Sequence, residues 1–119
     1  MLQGHLNEYQ RSAVATATVP KATRLAYCGF KLAGEAGEVS EKLGKGIREG
    51  HAGWYGRRGF RVTPTLRDAI KKELGDVLWY VAVMADCLGF TLEEIAAGNL
   101  AKLADRKARG VLHGNGDDR

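Results

Sequence analysis

Glu35 with Glu38 and Glu73 with Asp76 form two pairs of acidic residues, the members of each three positions apart. On a helix, that step projects both members of a pair from one side. Like charges so placed repel by about 0.2–0.5 kcal/mol when exposed, and by more beside apolar neighbours. A cation gathered between them removes the cost. Four carboxylates with no cysteine or histidine among them make a hard, all-oxygen donor set, which suits Mg²⁺, with Mn²⁺ the natural substitute, and disfavours zinc. Because Mg²⁺ shares its shell with waters and substrate phosphates, the pattern points to phosphate chemistry. The competing reading has the same acids solvated on helix faces, paired with Lys42, Lys45, Lys71 or Lys72. A di-iron carboxylate bundle would need Glu-x-x-His motifs, and the sequence contains none.

These acids need helices to carry them, and the apolar spacing supplies four. Residues 6–17 read as a short first helix that stops ahead of Pro20. Over residues 22–49, Leu25, Cys28, Leu32, Val39, Leu43 and Ile47 recur at helical steps, so Glu35 and Glu38 border an apolar stripe. Five glycines in that stretch weaken it, and packing must hold it. A third helix follows Thr65 as its cap, with Leu66, Ile70, Leu74, Val77, Val81, Met84 and Leu88 in its stripe and Gly89 at its end. Thr91 and Glu94 form a capping box for a fourth, running to about Arg109 and closed by Gly110. Residues 50–64 mix glycines with Trp54, Tyr55, Phe60, Arg57, Arg58 and Arg61 and read as a loop. No run alternates long enough to suggest a strand, so the expected fold class is all-α. Packed antiparallel, the second and third helices would bring the two acidic pairs together.

A chain of 119 residues has room for one core, and residues 1–119 read as one domain with a loop insertion at about 50–64. A domain this small leaves much of its surface unburied, which favours association with copies of itself. Cys28 and Cys87 sit in apolar helical patterns, far apart in sequence, and read as two buried free thiols. No apolar run reaches the length of a membrane span, and MLQGHLNEYQR lacks the apolar core of a secretory leader, so the expected location is cytoplasmic, with no membrane partner. The net charge of +4 suits a polyanion, whether nucleic acid or a small nucleotide.

The strings LAGEAGEVSEKLGK, KKELGDVLWYVAVMADCLGFTLEEIAAGNLAKLADRKARG and GNGDDR resemble the MazG-like nucleotide pyrophosphohydrolases, and LNEYQRSAVATAT resembles that group's opening helix. The most specific part is the ordered set GEAGE, ELGD and NLAKL followed by an arginine. The resemblance implies a four-helix bundle assembled as a homodimer or homotetramer, Mg²⁺ on Glu35, Glu38, Glu73 and Asp76, and cleavage of a nucleoside triphosphate, NTP or dNTP, to monophosphate and pyrophosphate. Such an activity would serve to clear or control the nucleotide pool. It also places Asn99, Lys102 and Arg106 near the phosphates and Tyr80 beside the nucleotide, while Trp79 reads as packing. Gly34 stands where many members carry a further Glu, leaving the water-orienting group to Glu41 or another subunit. The stretch 51–61 lengthens the connection between the acidic pairs, as a surface insertion, a subunit contact or a lid over the substrate. Two other readings compete: a relative acting on phosphoribosyl-ATP, and a basic helical nucleic-acid module using Arg57, Arg58, Arg61 and the region 102–109. The second leaves the paired acids unexplained, so a nucleic-acid partner is not expected.

Overall fold

The computed structural model describes residues 4–119. Four helices carry the chain, α1 (His5–Ala15), α2 (Lys21–Arg48), α3 (Pro64–Cys87) and α4 (Leu92–Ala108), with two short strands, β1 (Ala52–Trp54) and β2 (Phe60–Val62), between α2 and α3. The all-α expectation therefore holds for the bulk of the fold but not for residues 50–64. There the strands pair antiparallel, Ala52 opposite Val62, Gly53 opposite Arg61 and Trp54 opposite Phe60, around a single 3₁₀ turn at Gly56–Arg58. Three residues per strand are too few for an alternating pattern to emerge, which is why the sequence reads as loop.

The start of α3 also differs from expectation. Thr63, not Thr65, is the N-cap: its backbone is extended (φ −67°, ψ 157°) and its hydroxyl accepts from the Leu66 amide. Pro64 explains the shift. Proline fits the first helical position, where no amide partner is needed, and forces the residue before it out of helical geometry. The α4 capping box forms as expected, Thr91 Oγ1 accepting from the Glu94 amide at 3.1 Å and Glu94 Oε2 accepting from the Thr91 amide at 2.7 Å. Between α3 and α4 the chain turns through Gly89, whose φ of 80° a side chain would strain.

Packing is dominated by the antiparallel α2–α3 pair, which the short hairpin connection dictates. The buried centre lies where α1 crosses the second half of α3 and the start of α4: Ala13, Ala82, Ala85 and Leu92, covered by Leu6, Tyr9, Trp79 and Val81. Gln10 ties these three elements together from a buried position. Its side chain donates to the carbonyls of Ala82 and Phe90 and accepts from the Leu92 amide. At the other end Gly46 of α2 is buried against Leu66 and Ala52, where a Cβ would overlap Leu66.

The apolar stripes are wider than one chain covers. Leu25, Phe30, Leu74, Leu78, Leu100 and Leu103 remain exposed, Phe30 at 80 %. The radius of gyration is 17.4 Å, against about 13.5 Å for a compact domain of this length. Of the two cysteines, both free, Cys28 is buried as expected and Cys87 only partly so. Among the described residues no single helix is long and apolar enough to cross a membrane.

Candidate metal centre

Antiparallel packing of α2 on α3 brings three of the four expected carboxylates together. Glu35 from α2 and Glu73 and Asp76 from α3 each offer an oxygen, and all three oxygens lie within 4.8 Å of one another. Glu35 and Glu73 are half-buried and Asp76 is exposed. Glu38 is exposed and falls outside the group. The three-residue step alone does not decide this, because Glu73 and Asp76 share it and both join the group.

Two lysines of α2 reach the group. Lys42 Nζ lies 3.2 Å from Glu73 Oε1 and Lys31 Nζ 3.7 Å from Glu35 Oε1. The pairing that competed with a metal is thus realised in part, by Lys42, without neutralising the cluster: three carboxylates face two ammonium groups. Asp76 has no cationic partner among the described residues. The donor chemistry, carboxylate oxygen from two helices with no sulfur or imidazole, fits Mg²⁺ or Mn²⁺, and the group is partly open to water, as a shell shared with substrate requires.

Beside the acids lies an open cleft of about 360 Å³ lined by Glu35, Asp76, Trp79 and Tyr80. Tyr80, expected beside the nucleotide, thus lies one turn from Asp76 on the wall of this cleft. Burial pushes its hydroxyl pKa up, helped by Tyr27 and by the charge of Glu35. Trp79 packs as expected, its indole donating to Thr16 Oγ1 at 2.8 Å, but its ring also meets Tyr80 edge-on at 4.9 Å and forms part of the cleft wall. Sequence reasoning missed Tyr9 of α1. Burial and then the charge of Asp76 raise its pKa, which puts α1 against the acidic group, and no local spacing signals a contact across 67 residues.

The α4 residues are placed differently. Asn99 and Lys102 line a separate cleft with Phe90, Glu94, Ile95 and Gly98. Lys102 Nζ is 3.0 Å from Asp117 Oδ1. Arg106 is buried at 4 % exposure, its guanidinium under the C-terminal tail, where Nη2 donates to the Asp117 carbonyl at 2.7 Å and to Asp117 Oδ1 at 3.1 Å. These two cations hold Asp117 low in pKa, Lys102 foremost. Within one chain, then, the cations expected at the phosphates bind the tail's carboxylate. Gly34 brings no carboxylate to the group, and Glu41, like Glu38, is exposed and outside it.

Comparison with known proteins bears on this arrangement. Residues 28–111 match the family described as the MazG nucleotide pyrophosphohydrolase domain. The chain is 39% identical over 121 residues to the Gene 37 protein of Mycobacterium phage L5, the match covering 97% of this chain and 99% of that one. No solved structure matches.

Proposed function

The chain belongs to the MazG nucleotide pyrophosphohydrolase family, and from that premise we propose that it cleaves nucleoside triphosphates, ribo- or deoxyribo-, to monophosphate and pyrophosphate with Mg²⁺ or Mn²⁺. The observation that carries this reading is the convergence of Glu35, Glu73 and Asp76 from two helices. Those three residues would hold the ion, with Glu38 one turn away to complete the set. When bound, the ion supplies charge neutralisation on the phosphates and lowers the pKa of water.

The remaining work is positioning. Lys31 and Lys42 keep the carboxylates in place while leaving a net negative charge for a cation to meet. Tyr80 and Trp79 form an aromatic wall beside the acids on which a base can lie. Asn99 and Lys102 line a different cleft of the same chain, so in this reading they meet the phosphates at the acids of a neighbouring copy, where substrate would displace the Asp117 carboxylate from Lys102. The exposed apolar stripes of α2 and α3 and the extended dimensions of the chain support that assembly, as a homodimer or homotetramer.

The test is release of monophosphate and pyrophosphate from a panel of NTPs, dNTPs and phosphoribosyl-ATP with Mg²⁺ or Mn²⁺, beside Glu73→Gln and Asp76→Asn. Turnover of at least one triphosphate, lost in both variants, is the expected result. No turnover of any triphosphate with either ion would sink the proposal, and turnover of phosphoribosyl-ATP alone would replace the substrate.

A further inference from the structure

We propose that the β1–β2 hairpin is a binding element for single-stranded nucleic acid, its rings stacking on unpaired bases and its arginines meeting the phosphates. The inference does not rest on the hydrolytic reading. Residues 50–67 carry Arg57, Arg58, Arg61 and Arg67 and no acidic residue, while the whole chain has 18 Lys and Arg against 14 Asp and Glu. Three of the four net positive charges therefore sit on the hairpin as Arg57, Arg58 and Arg61, while Arg67 at its exit is paired with Asp68. Every cation in the segment is arginine. Its planar group pairs with phosphate in two-pronged fashion and stacks on rings, which lysine cannot do. Arg57, Arg58 and Arg61 are all exposed, and among the described residues none has a carboxylate partner.

The same hairpin holds three aromatic rings in water. Trp54 is 73% exposed, Tyr55 57% and Phe60 38%. Trp54 and Phe60 are cross-strand neighbours whose rings meet edge to face, 4.8 Å between centroids. They brace one another rather than a core. On the other face of the hairpin, where Arg61 stands opposite Gly53, is an open cleft of about 430 Å³ lined by His51, Tyr55, Arg58, Arg61, Val62 and Thr63. The Tyr55 ring beside Arg58 and Arg61 on one face, with the Trp54–Phe60 pair on the other, offers the π-faces and cations that sequence-tolerant binding of a single strand uses.

Two other occupants fit less well. A lid over the acidic cluster of its own chain is too distant: Glu73 lies nine residues into α3 and Glu35 thirteen residues before the end of α2, about 14 and 20 Å along the helices at 1.5 Å per residue. A second copy seated hairpin to hairpin would set arginines against arginines, whereas the bare Phe30, Leu74 and Leu78 offer an uncharged face for self-association. Lys102 and Arg106 are engaged with Asp117, so the binding element is the hairpin rather than α4.

The experiment is fluorescence anisotropy of a labelled oligothymidine and of a duplex of equal length, in EDTA, across a salt series. The proteins are wild type, Trp54→Ala and the triple variant Arg57→Gln/Arg58→Gln/Arg61→Gln, with circular dichroism and thermal unfolding reporting an intact fold. We expect the single strand to bind more tightly than the duplex. The triple variant should weaken it at least tenfold and flatten the slope of log K against log salt by about 2, at roughly 0.7 for each phosphate that an arginine no longer neutralises. Trp54→Ala should weaken it about tenfold with the slope unchanged. Absence of single-strand binding by wild type overturns the proposal, as does binding that the triple variant leaves intact. Lost self-association in sedimentation without strand binding would instead make the hairpin an interface between copies.

Discussion

Asp76→Asn should make the metal-free protein more stable and the metal-loaded protein less so, a crossing that only a cation-dependent cluster produces. Asp76 faces Glu35 and Glu73 with oxygens no more than 4.8 Å apart, and among the described residues no cation partners it. At that separation each like-charge pair costs about 0.9 kcal/mol in a water-like dielectric, appropriate because Asp76 is exposed. Removing two such pairs, offset by screening and by the lost attraction to Lys31 and Lys42 beside the group, gains under about 1 kcal/mol, or at most roughly 4 °C in Tm for a domain of this size. Saturating Mg²⁺ acts in the opposite direction, stabilising wild type by about 2.7 kcal/mol at a hundred times Kd, while the variant responds weakly. The assay is thermal unfolding at low salt in EDTA and in Mg²⁺, read by circular dichroism. An Asp76→Asn protein that melts below wild type in EDTA would refute the argument, because the carboxylate would then be satisfied by protein groups. So would a wild-type Tm indifferent to both Mg²⁺ and Mn²⁺.

Gln10→Leu should cost roughly 2–4 kcal/mol in urea unfolding, since it strands the Leu92 amide and two carbonyls in a buried junction; a loss under about 1 kcal/mol would mean water replaces it. Gly46→Ala should destabilise by about 1–2 kcal/mol through overlap with Leu66, and a double-mutant cycle with Leu66→Ala should show the pair to be non-additive. Asp117 has a folded pKa below the usual aspartate range, so its ion pairs contribute fully above that range and are lost as pH falls through the lowered value. Limited proteolysis of the tail should accordingly increase on acidification, and Asp117→Asn should show the acid pattern at neutral pH.

The helices were legible because their apolar steps persist over many turns, and the α4 capping box because both partners lie within four residues. What escaped was either too short or too distant. Three-residue strands leave no period to read, and Pro64 moved a cap by two positions. At the candidate site, spacing singled out Glu35, Glu38, Glu73 and Asp76 alike; the structure brings together Glu35, Glu73 and Asp76 but not Glu38, a difference between two equally spaced pairs that spacing cannot encode. The engagement of Lys102 and Arg106 by Asp117 depends on the tail folding back across some ten to fifteen residues, which neither charge nor periodicity encodes. Stripe width was misleading for a physical reason as well. Leu74 and Leu88 fit the apolar pattern but stay exposed, and a pattern cannot distinguish a surface buried within the chain from one covered by another copy.

In the proposed reaction, the carboxylates of α2 and α3 hold the ion at which a triphosphate is cleaved between its α and β phosphorus atoms. The most direct measurement is ³¹P NMR of a turned-over nucleotide with Mg²⁺ in ¹⁸O-enriched water, for wild type and Glu73→Gln. Monophosphate and pyrophosphate should form in equal amounts, with the label in one of them and no reaction in the variant. Nucleoside diphosphate with inorganic phosphate, or undiminished turnover by Glu73→Gln, would contradict the proposed reaction.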